Sequence, residues 1–218
     1  MILLQKKIKK LSKKLKSGFT VIELVVVLGI IAIVTSIVLS SQSRFGGSVL
    51  LTNLAYDIAV TIRQAQSYGI SVRQFAPAST SSTFDLGYGV HVRAANPSMF
   101  LIFADVRDDK KYDTRFDTGQ ACISDSECVR LFRIEQGNYI KKFCATRLAD
   151  GVSECSDNGT RLTSLDITFK RPNPDAHFVT NINPDGSYRY KNATIFIANP
   201  AGVTREIHVA RTGQIYVQ

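Results

Sequence analysis

Lys16-Ser17-Gly18-Phe19-Thr20-Val21-Ile22-Glu23-Leu24-Val25-Val26-Val27-Leu28 joins two stretches of opposite chemistry. Residues 1–18 hold seven lysines (Lys6, Lys7, Lys9, Lys10, Lys13, Lys14 and Lys16) and no acid. From Phe19 to Leu39, 21 residues contain one charge, Glu23. A hydrocarbon core takes roughly 20 apolar residues of helix, so this run is long enough to span one. A basic start before such a run places the N-terminus in the cytoplasm and everything after Leu39 outside it. Gly18 has no side chain, which lets a protease approach its backbone closely. Glu23 is the odd residue: a carboxylate in an apolar helix costs up to roughly 2.5–3.5 kcal/mol at mid-bilayer and less near an end, so it requires a partner.

Downstream of the apolar run, a second periodicity follows Ser40–Ser43 and Gly46-Gly47. Leu51, Leu54, Ala55, Ile58, Ile62 and Ala65 recur at helical spacing, with Asp57, Arg63 and Gln64 mostly on the other side. The pattern predicts one long helix from about Phe19 to about Tyr68, apolar all round in its first half and amphipathic in its second. The first half suits lipid or other helices, and the second suits a domain surface. The expected organisation is a leader over 1–18, a membrane half over 19–43, an amphipathic half over 44–72 and a head over 73–218. A polar linker, Pro77 to Thr83, begins the head.

Beyond the linker the signals are those of strands. Gly89–Arg93, Met99–Val106, Val129–Ile134, Tyr139–Phe143, Leu165–Phe169, Ala193–Ala198, Glu206–Ala210 and Gln214–Val217 are short and rich in β-branched or aromatic residues. Ile207 and Val209 alternate with Glu206 and His208, and Thr212-Gly213 predicts a tight turn into a terminal hairpin. The expected fold class is α+β, a long N-terminal helix packed on an antiparallel sheet. The chain's 218 residues are 44% hydrophobic and 21% charged, which suits a folded domain with an appended helix. Of its formal net charge of +9, the leader supplies +7. Taking those seven lysines from the 27 basic residues leaves 20 against 18 acids.

Four cysteines, Cys122, Cys128, Cys144 and Cys155, fall in the exported part, where an even number favours disulfides. They allow three pairings, among which sequence does not choose; the short-range set, Cys122–Cys128 with Cys144–Cys155, is preferred. Zinc is the poorer reading, since neither pair has tight ligand spacing and no histidine is near.

Residues 16–28 resemble the processing and methylation site of type IV prepilins and type II secretion pseudopilins. Basic residues precede Gly18, Phe19 follows it, and Glu23 stands fifth in the chain that cleavage would leave. The resemblance implies that a prepilin peptidase cuts between Gly18 and Phe19 and N-methylates Phe19. It implies that Glu23 neutralises the amine of a neighbouring subunit as helices enter a filament. The other implied partners are further pilin or pseudopilin subunits and the inner-membrane assembly platform, with the head exported to the periplasm or cell surface. Looser patterns are similar to the H-like pseudopilins of type II secretion and their pilus relatives: Ile62 to Ser67, Gly87-Tyr88-Gly89-Val90, Phe103-Ala104-Asp105 and Thr212-Gly213-Gln214-Ile215. The expected function is a minor pilin or pseudopilin of a pilus, secretion or competence filament, with no enzymatic activity and no cofactor.

Two other functions compete. A secreted enzyme with an ordinary signal peptide could be cut at Ser41-Gln42-Ser43, but a signal core spans about 7–15 residues and this run is longer and acidic. A DNA-binding minor pilin would use Arg189, Arg205 and Arg211 with Tyr188, Tyr190 and Tyr216 as a basic, aromatic face, against a mature charge near neutrality. Asp105, Asp108, Asp109, Asp113 and Asp117 form an acidic loop. Calcium is the tempting ligand, with Asp105, Asp109 and Asp113 as candidates. An EF-hand register from Asp105 fails, because Arg107 is third, Lys110 stands where glycine is needed and Phe116 ends it. A solvated loop neutralised by Lys110, Lys111 and Arg115 is the preferred reading. His91, His177 and His208 show no catalytic spacing, and Gly87-x-Gly89 lacks the rest of a dinucleotide motif.

Overall fold

The computed structural model describes residues 18–71, 73–75, 84–113, 122, 127–157, 162–184 and 189–218, with the backbone alone for 40–45. Most of the leader, the linker, Arg115, Asp117, Tyr188 and the side chains of Ser41-Gln42-Ser43 therefore lie outside the described residues. The chain forms two compact units, residues 1–45 and 46–218.

One helix, α1, runs from Val21 to Ile70. In the first unit its start carries the capping-box sequence Thr20-Val21-Ile22-Glu23, and Thr20 caps the helix: the Glu23 N–H donates to Thr20 Oγ1 at 3.3 Å. Val21–Leu39 is long and apolar enough to cross a membrane, and none of it is buried in the structure. Its two hydroxyl side chains are satisfied internally. Thr35 Oγ1 donates to the Ile31 carbonyl and Ser36 Oγ to the Ala32 carbonyl, both at 2.8 Å, as a segment in lipid requires.

In the second unit, α1 buries Leu51, Ala55, Ile58, Ala59, Ile62 and Ala65. Against this face stand two antiparallel five-stranded sheets. The first has the order β3-β2-β1-β6-β7: Cys128–Arg133 (β3), Met99–Asp105 (β2), Gly87–Arg93 (β1), Ser164–Phe169 (β6) and Ala176–Thr180 (β7). The second has the order β10-β9-β8-β4-β5: Ile215–Val217 (β10), Thr204–Ala210 (β9), Tyr190–Ala198 (β8), Tyr139–Arg147 (β4) and Ser153–Cys155 (β5). The helix and both sheets share one core. Val90, Phe100 and Ile167 come from the first sheet, and Phe143, Ile195 and Ile207 from the second.

The expected single sheet is thus two sheets, and the class remains α+β. Two strands were not anticipated. β5 is three residues long, and β7 follows a proline-rich turn whose residues carry no strand signal. The first sheet is also buried on its second face. There His91, Leu101, Phe103, Asp166 and Thr168 alternate with the core residues, and the segment after β2 covers them through Tyr112 and Cys122. Gly89 belongs to this face because the Phe103 ring lies where its Cβ would be, 2.7 Å away.

The terminal hairpin forms as expected, with Ile215, Tyr216 and Val217 opposite Val209, His208 and Ile207. Gly213 turns it at φ 81°, a left-handed conformation that favours glycine. Cys122 is bonded to Cys128, and Cys144 to Cys155. In the second link the cysteines face each other across β4 and β5, so it fastens a three-residue edge strand to its neighbour.

Candidate functional site

The Gly18–Glu23 segment is open along its length. Phe19 is 77% exposed, and a Cβ on Gly18 would touch nothing within 4 Å. Nothing in this fold therefore demands glycine at 18, which leaves backbone access as the physical reason for it. Glu23 sits in the first turn of α1. There the positive end of the helix dipole favours a carboxylate by about 0.3–1 kcal/mol. The capping box was readable in the sequence as Thr-x-x-Glu but was not part of the expectation.

The acidic loop departs from the solvated reading at Asp105, which is buried, and in part at Asp109 and Asp113, while Asp108 is exposed. Asp105 is 1% exposed, and its two carboxylate oxygens accept the Asp109 N–H at 3.1 Å and the Lys110 N–H at 2.9 Å. Glu127, which the sequence reading passed over, clamps the same segment. Its oxygens accept the Val106 N–H at 3.3 Å and the Asp113 N–H at 3.0 Å. Burial pushes the Glu127 carboxyl up to about 7, and the nearby Asp113 and Asp105 carboxylates add to the effect against those backbone bonds. Burial also raises Asp105 and Asp113, with Asp109 adding to the rise in both. Arg107 and Lys111 lie 3.3 and 3.6 Å from Asp113, and Lys111 is 3.1 Å from Asp109. These carboxylates act as loop-shaping acceptors. Among the described residues, no three His, Cys, Asp or Glu side chains are grouped to hold a metal ion.

The basic, aromatic face assembles only in part: Arg189, Tyr190 and Arg211 line one cavity, and Arg205 and Tyr216 do not. Tyr190 is 2% exposed, and its hydroxyl donates to Glu154 at 2.7 Å, so it presents no ring for stacking. Arg205 and Arg211 lie at opposite ends of β9, about 20 Å apart along an extended strand. Arg205 Nε donates to Thr52 Oγ1 at 3.3 Å, while Tyr216 stacks on His208 with centroids 4.8 Å apart.

Two histidines have carboxylate partners. His91 Nδ1 lies 2.7 Å from Asp166 Oδ1 in a buried pair, facing it across β1 and β6, with Tyr112 packed on the ring. They are separated by 75 positions, so only strand register joins them. His208 Nε2 is 3.2 Å from Glu206. His177 lines a cavity in the head, and burial, reinforced by Lys110, Arg211 and Arg189, lowers its pKa.

No curated protein and no solved structure matches the chain. The family model described as "Prokaryotic N-terminal methylation motif" matches residues 13–39. Its span takes in Gly18, Phe19 and Glu23. A motif of this kind implies processing by a prepilin peptidase and assembly with other pilins. With the exposed apolar helix that follows, it fits a membrane-anchored protein. The chain carries the methylation motif on an apolar N-terminal helix, which is consistent with a type IV pilin-like protein.

Proposed function

We propose that this chain is a minor pilin or pseudopilin, a non-enzymatic subunit of a pilus, type II secretion or competence filament. The observation that carries the reading is the methylation-motif match over residues 13–39, in which Gly18-Phe19 stands directly before a capped, exposed apolar helix. Cleavage after Gly18 discards seven lysines and frees the amine of Phe19. The helix waits in the inner membrane with its N-terminus in the cytoplasm and the head exported. Extraction into a filament then replaces lipid by neighbouring helices around Val21–Leu39. Glu23, five residues along the mature chain, pairs with the amine of the adjacent Phe19 and sets the register. The looser likeness to the H-like pseudopilins supports a role among low-abundance components of the filament.

Intact mass and N-terminal sequencing of protein purified from membranes test the cut. A mature chain beginning at N-methylated Phe19 is the expected result. A start after residue 40 would instead mark an ordinary signal peptide and remove the filament reading. Affinity capture of the processed chain with its neighbouring subunits then identifies the machine.

A further inference from the structure

A cavity of about 400 Å³ opens in the head where the loop after β2, strand β7, and the β8 and β9 ends meet. That volume is at the small end for ligand pockets. Phe178 and Tyr190 supply apolar walls, and Lys110, Arg189 and Arg211 line it with positive charge. None of these three cations has an ion pair or side-chain hydrogen bond among the described residues. Two acids, Asp108 and Asp109, also line the cavity, but each is engaged by a lysine from outside it. Lys170 Nζ is 2.8 Å from Asp108, and Lys111 Nζ is 3.1 Å from Asp109.

The fold holds these cations together. The Arg211 N–H donates to the Lys191 carbonyl at 2.9 Å, and its carbonyl accepts the Ala176 N–H at 2.8 Å, so its backbone bridges the two sheets. Lys110 is fixed at φ 64°, with its N–H on Asp105 and its carbonyl accepting Thr168 Oγ1 at 2.8 Å. Arg189 is tied at its carbonyl to the Leu148 N–H at 2.7 Å. Gathering three cations that have no ion pair among the described residues costs repulsion unless an anion offsets it.

We propose that this cavity binds a small oxyanion carrying at least two negative charges, a phosphate or a polycarboxylate, between Lys110, Arg189 and Arg211. The two guanidinium forks suit paired oxygens, and the lysine supplies a compact point charge. His177 reports on occupancy: burial first, then Lys110, Arg211 and Arg189, hold its pKa down against Asp175. An anion among those cations removes part of their field, so the imidazole takes up its proton more readily when the site is filled. By linkage, the anion binds more tightly as the pH falls through the titration of His177.

The full chain in zwitterionic detergent, with ring-labelled histidine, gives a direct test because it contains three histidines. His177→Gln assigns the resonance. Sodium phosphate and citrate are titrated separately at constant ionic strength. The expected result is a saturable shift of the His177 signal and a raised His177 pKa. Arg189→Gln and Arg211→Gln should each weaken the affinity roughly tenfold, the loss of one charge-assisted contact. A response to phosphate alone assigns a phosphate ligand, and a response to citrate alone a polycarboxylate. No saturable response to either, or one unchanged in the Arg189→Gln/Arg211→Gln double variant, overturns the proposal.

Discussion

Glu23 has two jobs to offer a helix that begins at Thr20, and they make different demands on its chemistry. As the third residue of a capping box it needs a polar side chain, which glutamine also supplies. As the partner of a neighbour's amine it needs a charge. Glu23→Val removes both properties; Glu23→Gln removes only the charge. Under the pairing argument both variants insert and are cleaved, and both enter filaments poorly, as read by the fraction of processed subunit in sheared filaments. Normal incorporation of Glu23→Gln would reduce the residue to a cap. Glu127 makes a sharper demand on pH. Its folded pKa of about 7 lies above the ordinary value of 4.5, so the folded chain holds the extra proton between the two. The stability it contributes is present below pH 4.5 and is lost as pH rises through about 7. The total is on the order of 3 kcal/mol. Glu127→Gln cannot ionise, so its unfolding free energy should improve relative to the parent by about that amount between pH 4.5 and 8. Asp105 and Asp113 shift in the same direction but are present in both proteins. Urea titrations of the full chain in detergent across this range decide it, and parallel profiles would count against the clamp.

Among the elements, α1 shows most clearly how sequence becomes packing. Leu51, Ala55, Ile58, Ile62 and Ala65 were legible as one face because a 3.6-residue period survives any context, and the core uses all five. Ile62→Ala should cost about 2–5 kcal/mol, because a fully buried side chain contacting strands leaves a cavity. The sheets were harder to read. Strands such as β8 and β9 were visible from their alternation, but the division into two sheets depends on which edges meet, and that information is non-local. β5 is legible only through its cysteine. Three residues make few ladder bonds, and the Cys144–Cys155 link closes an 11-residue separation that adds to them. Replacing both cysteines by alanine should destabilise the head by about 2–4 kcal/mol. It should also raise amide exchange first in Ser153–Cys155, measurable by mass spectrometry. Uniform protection there would show that the edge stands on its backbone bonds alone. Gly89 makes the same point within β1: its absence of a side chain is where Phe103 sits, so Gly89→Ala should cost about 1–3 kcal/mol.

At the scale of the whole molecule, two kinds of apolar surface call for two kinds of solvent. The side chains of Val21–Leu39 are exposed along their length, whereas the core of Leu51, Val90, Phe143, Ile195 and their neighbours lies wholly within residues 46–218. The first kind was plain from composition. The second was plain only as periodicity. The acidic loop reads from composition as solvated, whereas the fold buries its Asp105, along with Asp166 and Glu127, against backbone and histidine. Charge type alone does not reveal which polar groups a fold will consume as internal acceptors. The division into compact units at Phe45 and Gly46 predicts that a chain starting at Gly46 keeps its structure. Such a chain loses the span but no core residue, and it retains Arg63 Nη2 donating to the Ile215 carbonyl at 3.0 Å and Gln66 Nε2 to the Pro174 carbonyl at 3.0 Å. It should be monomeric in water without detergent and unfold in one cooperative transition, whereas the full chain should need detergent to stay dispersed. Sedimentation and thermal melting followed by near-ultraviolet dichroism read both properties. A non-cooperative melt of the shortened chain would show that residues before Gly46 hold the head together, and that the apolar helix has a second role besides assembly.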